Sequence, residues 1–331
     1  MQTRLEQLEN WLKQVLADAS FTLAPASADA SFRRYFRLSL STHTLIAMDA
    51  PPEHEDCEPF VRIAELFAKA GLNVPHVLEQ DLKQGFLLLT DLGDRTFLNA
   101  LSADNASDMY HDAYLALVKL QSASKPGVLP DYDEALLTRE LMLFPDWYVV
   151  KHLAIELDAD QKQVLQKTFD LLNRNILNQG QVYVHRDYHS RNLMVCDVNP
   201  GVLDFQDAVY GPITYDLVSL LKDAYIAWPE EQMLDWAVRY WQAARKAQLP
   251  VPADFSEFYR DFEWMGAQRH IKILGIFARL YHRDGKENYL KDMPLVMDYL
   301  RRVCARYIEL RPLLRLLDRL HDNKPEIGYT F

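Results

Sequence analysis

The sequence predicts an α+β fold with two lobes, a small N-terminal lobe built on an antiparallel sheet and a large, mostly helical C-terminal lobe. Short strand-like runs separated by turns fill the first part of the chain, whereas helical periodicity dominates from Pro229 onward. The run Phe86–Thr90 is strongly β, and it stops at the turn Asp91-Leu92-Gly93-Asp94. This turn separates a sheet-bearing first part of the chain from a mostly helical second part.

Length, composition and charge indicate a soluble globular enzyme. The chain has 331 residues, of which 49% are hydrophobic and 25% are charged, enough for two lobes with a sizeable core. The formal net charge of −11 argues against a nucleic-acid partner, because phosphate binding needs a basic surface. The acidic balance names no substrate, and nothing in the composition indicates an oligomeric state.

Compartment and membrane association follow from what the sequence lacks. No stretch approaches the roughly 18 apolar residues of a membrane span, and the first residues, MQTRLEQLENWLKQV, lack the apolar segment of a signal peptide. The three cysteines lie far apart, which suggests neither a zinc site nor a disulfide framework. We expect a cytoplasmic protein without a membrane partner.

The elements of the first lobe can be assigned in order. An apolar stripe predicts an amphipathic helix over residues 3–17 that packs on the small lobe. Strands are predicted at residues 21–23, 32–38, 44–48, 76–82 and 85–90, and a helix at residues 58–70. Small residues, Pro25 to Ser31, predict a turn between the first two strands.

The second lobe is predicted to be helical on both sides of one short β-rich segment. Helices are predicted over residues 96–124, 136–153, 161–177, 215–221, 230–247, 256–282 and 288–320. The β-rich segment between the third and fourth of these contains the residues that carry chemistry.

Two short strand-like runs in this segment predict a hairpin with polar side chains at its two ends. The runs are 193–196 and 201–203, and the turn-rich Asp-Val-Asn-Pro-Gly joins them. A hairpin brings Asn192, just before the first run, close to Asp204, just after the second. An amide oxygen and a carboxylate side by side suit a hard cation such as Mg²⁺, which completes its shell with water and phosphate oxygens.

Asp187 precedes this hairpin on a polar loop. A carboxylate there can orient an acceptor hydroxyl and accept its proton. An isolated Asp-x4-Asn is usually only a loop with Asx-turn chemistry. The two strand-like runs that follow, together with the Asp-Phe pair at the end of the second run, favour the catalytic interpretation of Asp187 and Asn192.

This pattern resembles known enzymes. His-x-Asp-x4-Asn followed by Asp-Phe resembles the catalytic core of the kinase fold. Asp-Phe-Gln and the short interval are more similar to the aminoglycoside phosphotransferase and choline kinase branch. Within it, VHRDYHSRNLM, GVLDFQDAVYGPITYDLVSLLKD and MDAPPEHEDCEPF resemble the bacterial anomeric sugar kinases of cell-wall recycling, which phosphorylate N-acetylmuramate and N-acetylglucosamine.

The resemblance implies an ATP- and Mg²⁺-dependent phosphotransferase with an alcohol group as acceptor, and an amino sugar is the favoured small-molecule substrate. Asp187 would be the catalytic base, and Asn192 and Asp204 the metal ligands. His185 and Asp216 would brace the catalytic loop. The resemblance also divides the chain into a first lobe, residues 1–92, and a second lobe, residues 93–331. The hinge between them would bind adenine through four residues, namely Leu89, Thr90, Asp91 and Leu92.

The part that holds the nucleotide phosphates departs from the kinase pattern. The small-residue turn that ends at Ser31 resembles the phosphate-covering loop, whose backbone N–H groups can still cradle phosphate oxygens. Kinases place a lysine near the end of the third strand, but here Met48 occupies that place and no lysine occurs between residues 13 and 69. Either an arginine, such as Arg33 or Arg34, or the metal must supply the positive charge.

The acceptor site is the least defined part of the sequence. Asp223, Arg269 and His270 are candidate acceptor contacts, because such side chains bind sugar hydroxyls and aromatic residues lie nearby. The alternative for each is ordinary helix packing.

Two other functions remain open at this stage. The first is a kinase of the same fold that acts on an aminoglycoside or a choline-like alcohol, and the second is a nucleotide-binding regulatory pseudokinase, which the absent lysine supports.

Overall fold

The computed structural model describes residues 3–17, 19–28 and 32–322, which group by their contacts into two compact units. Unit 1 comprises the described residues within Met1–Leu120 and Arg191–Ala208. Unit 2 comprises those within Gln121–Ser190 and Val209–Phe331. The predicted lobe boundary between residues 92 and 93 stays a prediction.

The strands and helices follow the order that the sequence indicates. The strands are β1 (Thr22–Ala28), β2 (Arg34–Ser39), β3 (Thr44–Asp49), β4 (Val77–Asp81), β5 (Phe86–Thr90), β6 (Gln181–Val184), β7 (Leu193–Met194), β8 (Gly201–Val202) and β9 (Val209–Pro212). The α-helices are α1 (Arg4–Val15), α2 (Glu58–Lys69), α3 (Phe97–Ala100), α4 (Ala106–Ser122), α5 (Glu134–Leu143), α6 (Ala159–Leu177), α7 (Tyr215–Leu221), α8 (Glu230–Lys246), α9 (Phe255–Asp284), α10 (Met293–Arg306) and α11 (Arg311–Asp322).

Unit 1 is built on a five-stranded antiparallel sheet with the order β1-β2-β3-β5-β4. This confirms the predicted antiparallel sheet of the N-terminal part. The turn predicted from Pro25 to Ser31 is wrong for residues 25–28, which belong to β1. In the described sheet β1 is an edge strand, and its pairing shifts between Pro25 and Ser27. A proline, which has no backbone N–H to donate, is tolerated at such a position. Residues 29–31 lie outside the described part.

Helix α1 packs on one face of this sheet. Thr3 caps it in a reciprocal pair with Glu6, and its apolar stripe is buried. The stripe and the sheet share one core, formed by Leu8, Trp11, Leu12, Leu38, Leu45, Ala47, Phe86 and Leu88. Arg4 at the start of the helix bonds the buried carboxylate of Asp49 with an Nε–Oδ1 distance of 2.8 Å. The predicted packing of this helix on the small sheet is confirmed.

Unit 2 is organised around α9, which packs against α5, α6, α7 and α10. Gly275 allows α9 to approach the end of α5 closely, because a Cβ atom there would lie 2.4 Å from the backbone carbon of Leu143. Unit 2 also holds the two-stranded antiparallel pair β6–β9. Across residues 3–17, 19–28 and 32–322, no helix has both the length and the apolar composition needed to cross a membrane.

Three helices of the second lobe differ from the prediction, two of them at prolines. The predicted helix 96–124 is interrupted at residues 101–105, which separate α3 from α4. The segment 288–320 is not one helix: a 3₁₀ turn (Glu287–Asp292), α10, a second 3₁₀ turn (Ile308–Leu310) and α11 replace it. Pro312 lies in the first turn of α11, where its missing N–H costs nothing, whereas inside a continuous helix it would break the hydrogen-bond ladder. The predicted helix 136–153 continues past Pro145 as a π-helix, Phe144–His152.

Candidate active site

The catalytic loop, residues 185–190, lies in unit 2 directly after β6. His185 is buried, and its Nδ1 accepts a hydrogen bond of 3.2 Å from the backbone N–H of Asp187. Arg186 adopts a φ of 79°, a left-handed conformation that turns the chain sharply. The side chain of Asp187 is 44% exposed, so it can reach a ligand in solution.

Asp216, in the first turn of α7, holds the beginning of this loop. Its carboxylate is fully buried and accepts hydrogen bonds from the backbone N–H groups of His185 at 2.6 Å and Arg186 at 3.0 Å. Burial raises the pKa of Asp216 to about 7, although these two hydrogen bonds act in the opposite direction. The contacts of a brace are therefore present, and the importance of the brace for turnover stays a prediction.

A buried cluster of charges lies under the loop. Glu140 of α5 accepts hydrogen bonds from Arg186 Nη2 at 2.6 Å and from Lys272 Nζ at 2.7 Å. The hydroxyl of Tyr215 accepts from Lys272 Nζ at 2.9 Å and from Arg269 Nη1 at 3.0 Å. Arg269 Nη1 also donates to the backbone oxygen of Arg186 at 2.9 Å, so the cluster fixes the loop backbone as well as its charges.

This cluster sets the ionisation of Asp187. Arg269 Nη2 lies 3.8 Å from Asp187 Oδ1. Partial removal from water raises the pKa of Asp187, but the positive charges of Arg269 and Lys272 outweigh that effect and hold the pKa at about 2. Asp187 is therefore ionised throughout the neutral range.

The three candidate acceptor contacts have different surroundings. Arg269 is mostly buried and faces the catalytic loop as described. His270 is fully buried, and its Nε2 lies 3.3 Å from the backbone oxygen of Lys222. Asp223 is 2% exposed and accepts hydrogen bonds from Ser190. Their contact with an acceptor stays a prediction.

The two predicted metal ligands lie together in unit 1, at the two ends of the β7–β8 hairpin. Asn192 Nδ2 donates to Asp204 Oδ2 at 3.3 Å, and Gln206 Nε2 donates to Asp204 Oδ1 at 2.7 Å. The backbone pairs as well, since the N–H of Leu203 donates to the oxygen of Asn192 at 2.9 Å. Asp204 has a φ of 61°, and Phe205 beside it is fully buried against Phe60.

The donor set of this hairpin fits a magnesium ion. Within the described residues, no group of three or more His, Cys, Asp or Glu side chains is placed to hold a metal. Asn192 and Asp204 offer only oxygen donors of the kind Mg²⁺ uses, and too few to enclose it. The buried Oε1 of Gln206 has no hydrogen-bond partner, which suits a neighbouring metal-bound water. A magnesium ion here would take its remaining ligands from water and phosphate oxygens.

The predicted hinge residues lie at the end of β5 in unit 1: Leu89 and Thr90 are its last two residues, and Asp91 and Leu92 follow it. Asp91 is tied down, because its Oδ2 and Oδ1 accept from Arg37 Nε at 2.7 Å and Nη2 at 3.1 Å. The backbone oxygen of Leu92 accepts a hydrogen bond of 3.3 Å from the thiol of Cys196, which joins the hinge to the β7–β8 hairpin.

The arginines proposed to replace the missing lysine are paired with carboxylates. Arg33 Nε lies 3.5 Å from Glu55 Oε2. Arg34 Nε donates to Asp49 Oδ2 at 3.1 Å, and the two residues are directly opposite each other in the pairing of β2 with β3. Met48, in the place of the lysine, is fully buried. Ser31 lies outside the described residues.

Sequence reasoning missed three members of these clusters, Glu140, Lys272 and Gln206. The spacing Arg269-x-x-Lys272 places both cations on one face of α9, and that was the one available sign. The burial of Arg269 and Lys272 depends on α5 and on the catalytic loop, both of which are distant from α9 in sequence.

The chain belongs to the phosphotransferase enzyme family, whose model matches residues 22–258. It is 51% identical over 332 residues to the N-acetylmuramate/N-acetylglucosamine kinase of Neisseria meningitidis, covering 98% of this chain and 98% of the relative. This confirms the predicted resemblance to that group and the predicted class of enzyme, a phosphotransferase.

Two solved structures have the same fold at low identity. A choline kinase from Streptococcus pneumoniae is 12% identical, covers 91% of this chain and 100% of its own, and gives a TM-score of 0.63. An ADP-bound aminoglycoside phosphotransferase is 14% identical, covers 88% and 97%, and gives a TM-score of 0.58. The predicted kinase-like α+β fold is confirmed.

Proposed function

We propose that this chain is an ATP- and Mg²⁺-dependent kinase that phosphorylates the anomeric hydroxyl of N-acetylmuramate and N-acetylglucosamine in peptidoglycan recycling. The observation that carries the chemistry is Asp187, an ionised and accessible carboxylate on a loop fixed by buried contacts. The acceptor rests on the relative of 51% identity, whose name states both sugars. We expect the reaction to take place in the cytoplasm.

In this reaction the sugar hydroxyl attacks the γ-phosphorus of ATP. A bond forms between the sugar oxygen and that phosphorus, the bond to the β–γ bridging oxygen breaks, and ADP leaves. Asp187 accepts a hydrogen bond from the hydroxyl, aims its oxygen and takes its proton. A carboxylate with a pKa of about 2 is a weak base, so its main contribution is orientation, and the proton moves late, when phosphorus bonding has made the hydroxyl acidic.

Asn192 and Asp204 would hold the magnesium ion. When bound, Mg²⁺ neutralises charge on the phosphate oxygens as the bond to the leaving group breaks. Since Arg33 and Arg34 are both paired with carboxylates, the metal rather than an arginine is the main counter-charge in this proposal. The missing lysine is then no obstacle to turnover.

The test is ATP consumption with Mg²⁺ across N-acetylmuramate, N-acetylglucosamine, glucose, kanamycin and choline, with the products identified by ³¹P NMR. An anomeric phosphate on the two amino sugars would support the proposal. Transfer to kanamycin or choline instead would keep the mechanism and reject the acceptor. ATP binding without transfer to any of them would reject the proposed acceptor and leave a kinase for another acceptor or the pseudokinase, which a wider metabolite screen would separate.

A further inference from the structure

The catalytic loop is held at its far end by a second buried carboxylate, Asp223. Asp223 Oδ2 accepts hydrogen bonds from the backbone N–H of Ser190 at 2.9 Å and from the Ser190 hydroxyl at 2.5 Å. Asp223 Oδ1 accepts from the backbone N–H of Tyr225 at 3.0 Å. Asp223 and Ser190 are each 2% exposed. Both carboxylate oxygens are therefore engaged inside the protein.

Asp216 and Asp223 stand near opposite ends of the same short helix, α7. Asp216 lies in its first turn and bonds the beginning of the loop, whereas Asp223 follows its last residue, Leu221, and bonds the end. Asp187 lies between the two attached ends. A loop tied at one end to α7 and at the other to the turn that follows it has far fewer conformations than a loop tied at one end.

We propose that Asp223 is a positioning residue for Asp187, which fixes the end of the catalytic loop while Asp216 fixes its beginning. The inference rests on the role proposed for Asp187. Hydrogen bonds to a carboxylate are stronger than those between neutral groups, so Asp223 is suited to hold a backbone position against motion of the loop.

Asp223 also supports His189, which lies two residues after Asp187 in the loop, through Tyr225. The bond from Asp223 to the N–H of Tyr225 fixes that residue, whose ring meets the His189 ring edge-on with a centroid distance of 5.4 Å. The backbone N–H of His189 in turn donates to the backbone oxygen of Asp187 at 3.0 Å. Asp223 thus supports the second half of the loop through two routes.

This role differs from the contact with an acceptor that the sequence suggests for Asp223. A sugar-binding carboxylate needs an oxygen that faces the ligand, whereas both oxygens of Asp223 already accept bonds from Ser190 and Tyr225. The two roles predict different kinetics. A positioning residue changes kcat, while an acceptor contact changes the KM for the sugar.

The experiment compares Asp223→Asn and Ser190→Ala in the full chain. The amide of Asp223→Asn cannot accept on both sides, so one backbone donor loses its partner. In Asp223→Asn we expect kcat to fall by about 10- to 100-fold, the effect of a misplaced catalytic group. The KM values for ATP and for the sugar should stay within about twofold of those of the parent chain. Ser190→Ala keeps the backbone bond and should lose less. The double variant should lose no more than Asp223→Asn alone, because both changes act on one contact.

Asp254→Asn is a matched control. Asp254 at the start of α9 also accepts from the N–H and the hydroxyl of a single serine, Ser256, each at 2.6 Å, but it has no contact with the catalytic loop. Its kcat should stay within about twofold of the parent chain, as is usual for a surface change. A raised KM for the sugar with unchanged kcat in Asp223→Asn would overturn the positioning role.

Hydrogen exchange of residues 185–190 gives a readout that does not depend on activity. Faster exchange of this segment in Asp223→Asn than in Asp254→Asn supports the positioning role. Equal exchange in the two variants overturns it, even if the enzyme is active. If the parent chain phosphorylates no acceptor, the proposed function fails, while the exchange result still decides the role of Asp223 in holding the loop.

Discussion

Glu140→Gln tests whether the catalytic loop rests on a balanced set of buried charges. Glu140 is 6% exposed and faces the cations of Arg186 and Lys272, with Arg269 joined to them through Tyr215. Glutamine keeps the size of the side chain and removes only its charge. The cations would then be buried without their carboxylate partner.

The magnitude follows from the distances. At an effective dielectric constant of about 20, the Lys272–Glu140 pair at 2.7 Å is worth about 6 kcal/mol of Coulomb attraction before desolvation is counted. Removing one partner of such a buried pair typically costs about 3–5 kcal/mol, because the other charge stays buried. We expect the free energy of unfolding of unit 2 to fall by that amount. The cost should shrink in Glu140→Gln/Lys272→Met, which removes a cation together with the carboxylate.

Urea unfolding followed by tryptophan fluorescence measures this loss. Most of the indole side chains belong to unit 2, namely Trp147, Trp228, Trp236, Trp241 and Trp264. The control is Asp235→Asn, which breaks the exposed pair with Arg239 in the same unit and should cost less than about 0.5 kcal/mol. A loss below about 1 kcal/mol for Glu140→Gln, or no recovery when Lys272 is also replaced, would refute the argument from buried charge.

Three further predictions concern turnover and metal binding. Asp187→Asn should lower kcat by about 10²-fold or more with ADP affinity retained, since the residue orients the acceptor, and normal turnover would reject that role. Asp204→Asn should abolish the Mg²⁺-dependent part of ADP affinity in calorimetry, whereas unchanged affinity would exclude it as a ligand. Because the pKa of Asp187 is about 2, its carboxylate stays ionised as the pH falls from 8 to 5. Arg269→Met removes the cation 3.8 Å away, so it should raise that pKa and make kcat fall toward pH 5. The control is Arg283→Met, which changes an exposed arginine.

Local patterns were enough for the elements on which the site is built. The strand-like runs on either side of the Asn-Pro-Gly turn predicted a hairpin, and β7 and β8 form it with Asn192 and Asp204 at its ends. Hairpin pairing depends on residues close in sequence, which is why this prediction succeeded. The single helix predicted over 288–320 is wrong, because the helical periodicity continues past Pro312 whereas a continuous helix would break there.

The surroundings of Arg34 and Asp223 were beyond the reach of sequence patterns. The register of β2 against β3 sets Arg34 opposite Asp49, which binds its guanidinium, and the turn after α7 brings Asp223 to Ser190. Phosphate binding by Arg34 and acceptor binding by Asp223 stay predictions. Pairings over long separations depend on how helices and strands pack, and a single sequence carries no record of that packing.

Residue type and local spacing were enough to predict the order of elements, the helix α1 with its apolar stripe, and the candidate site residues Asp187, Asn192 and Asp204. Each of these depends on residue type and on neighbours within a few positions. The meeting of Glu140 with Lys272 under the catalytic loop, and the positive charges of Arg269 and Lys272 that keep Asp187 ionised, became visible only once the chain was packed. Charge buried far from water interacts through space over a few ångströms, so its partners are set by the packing of α5 against α9 and not by distance along the chain.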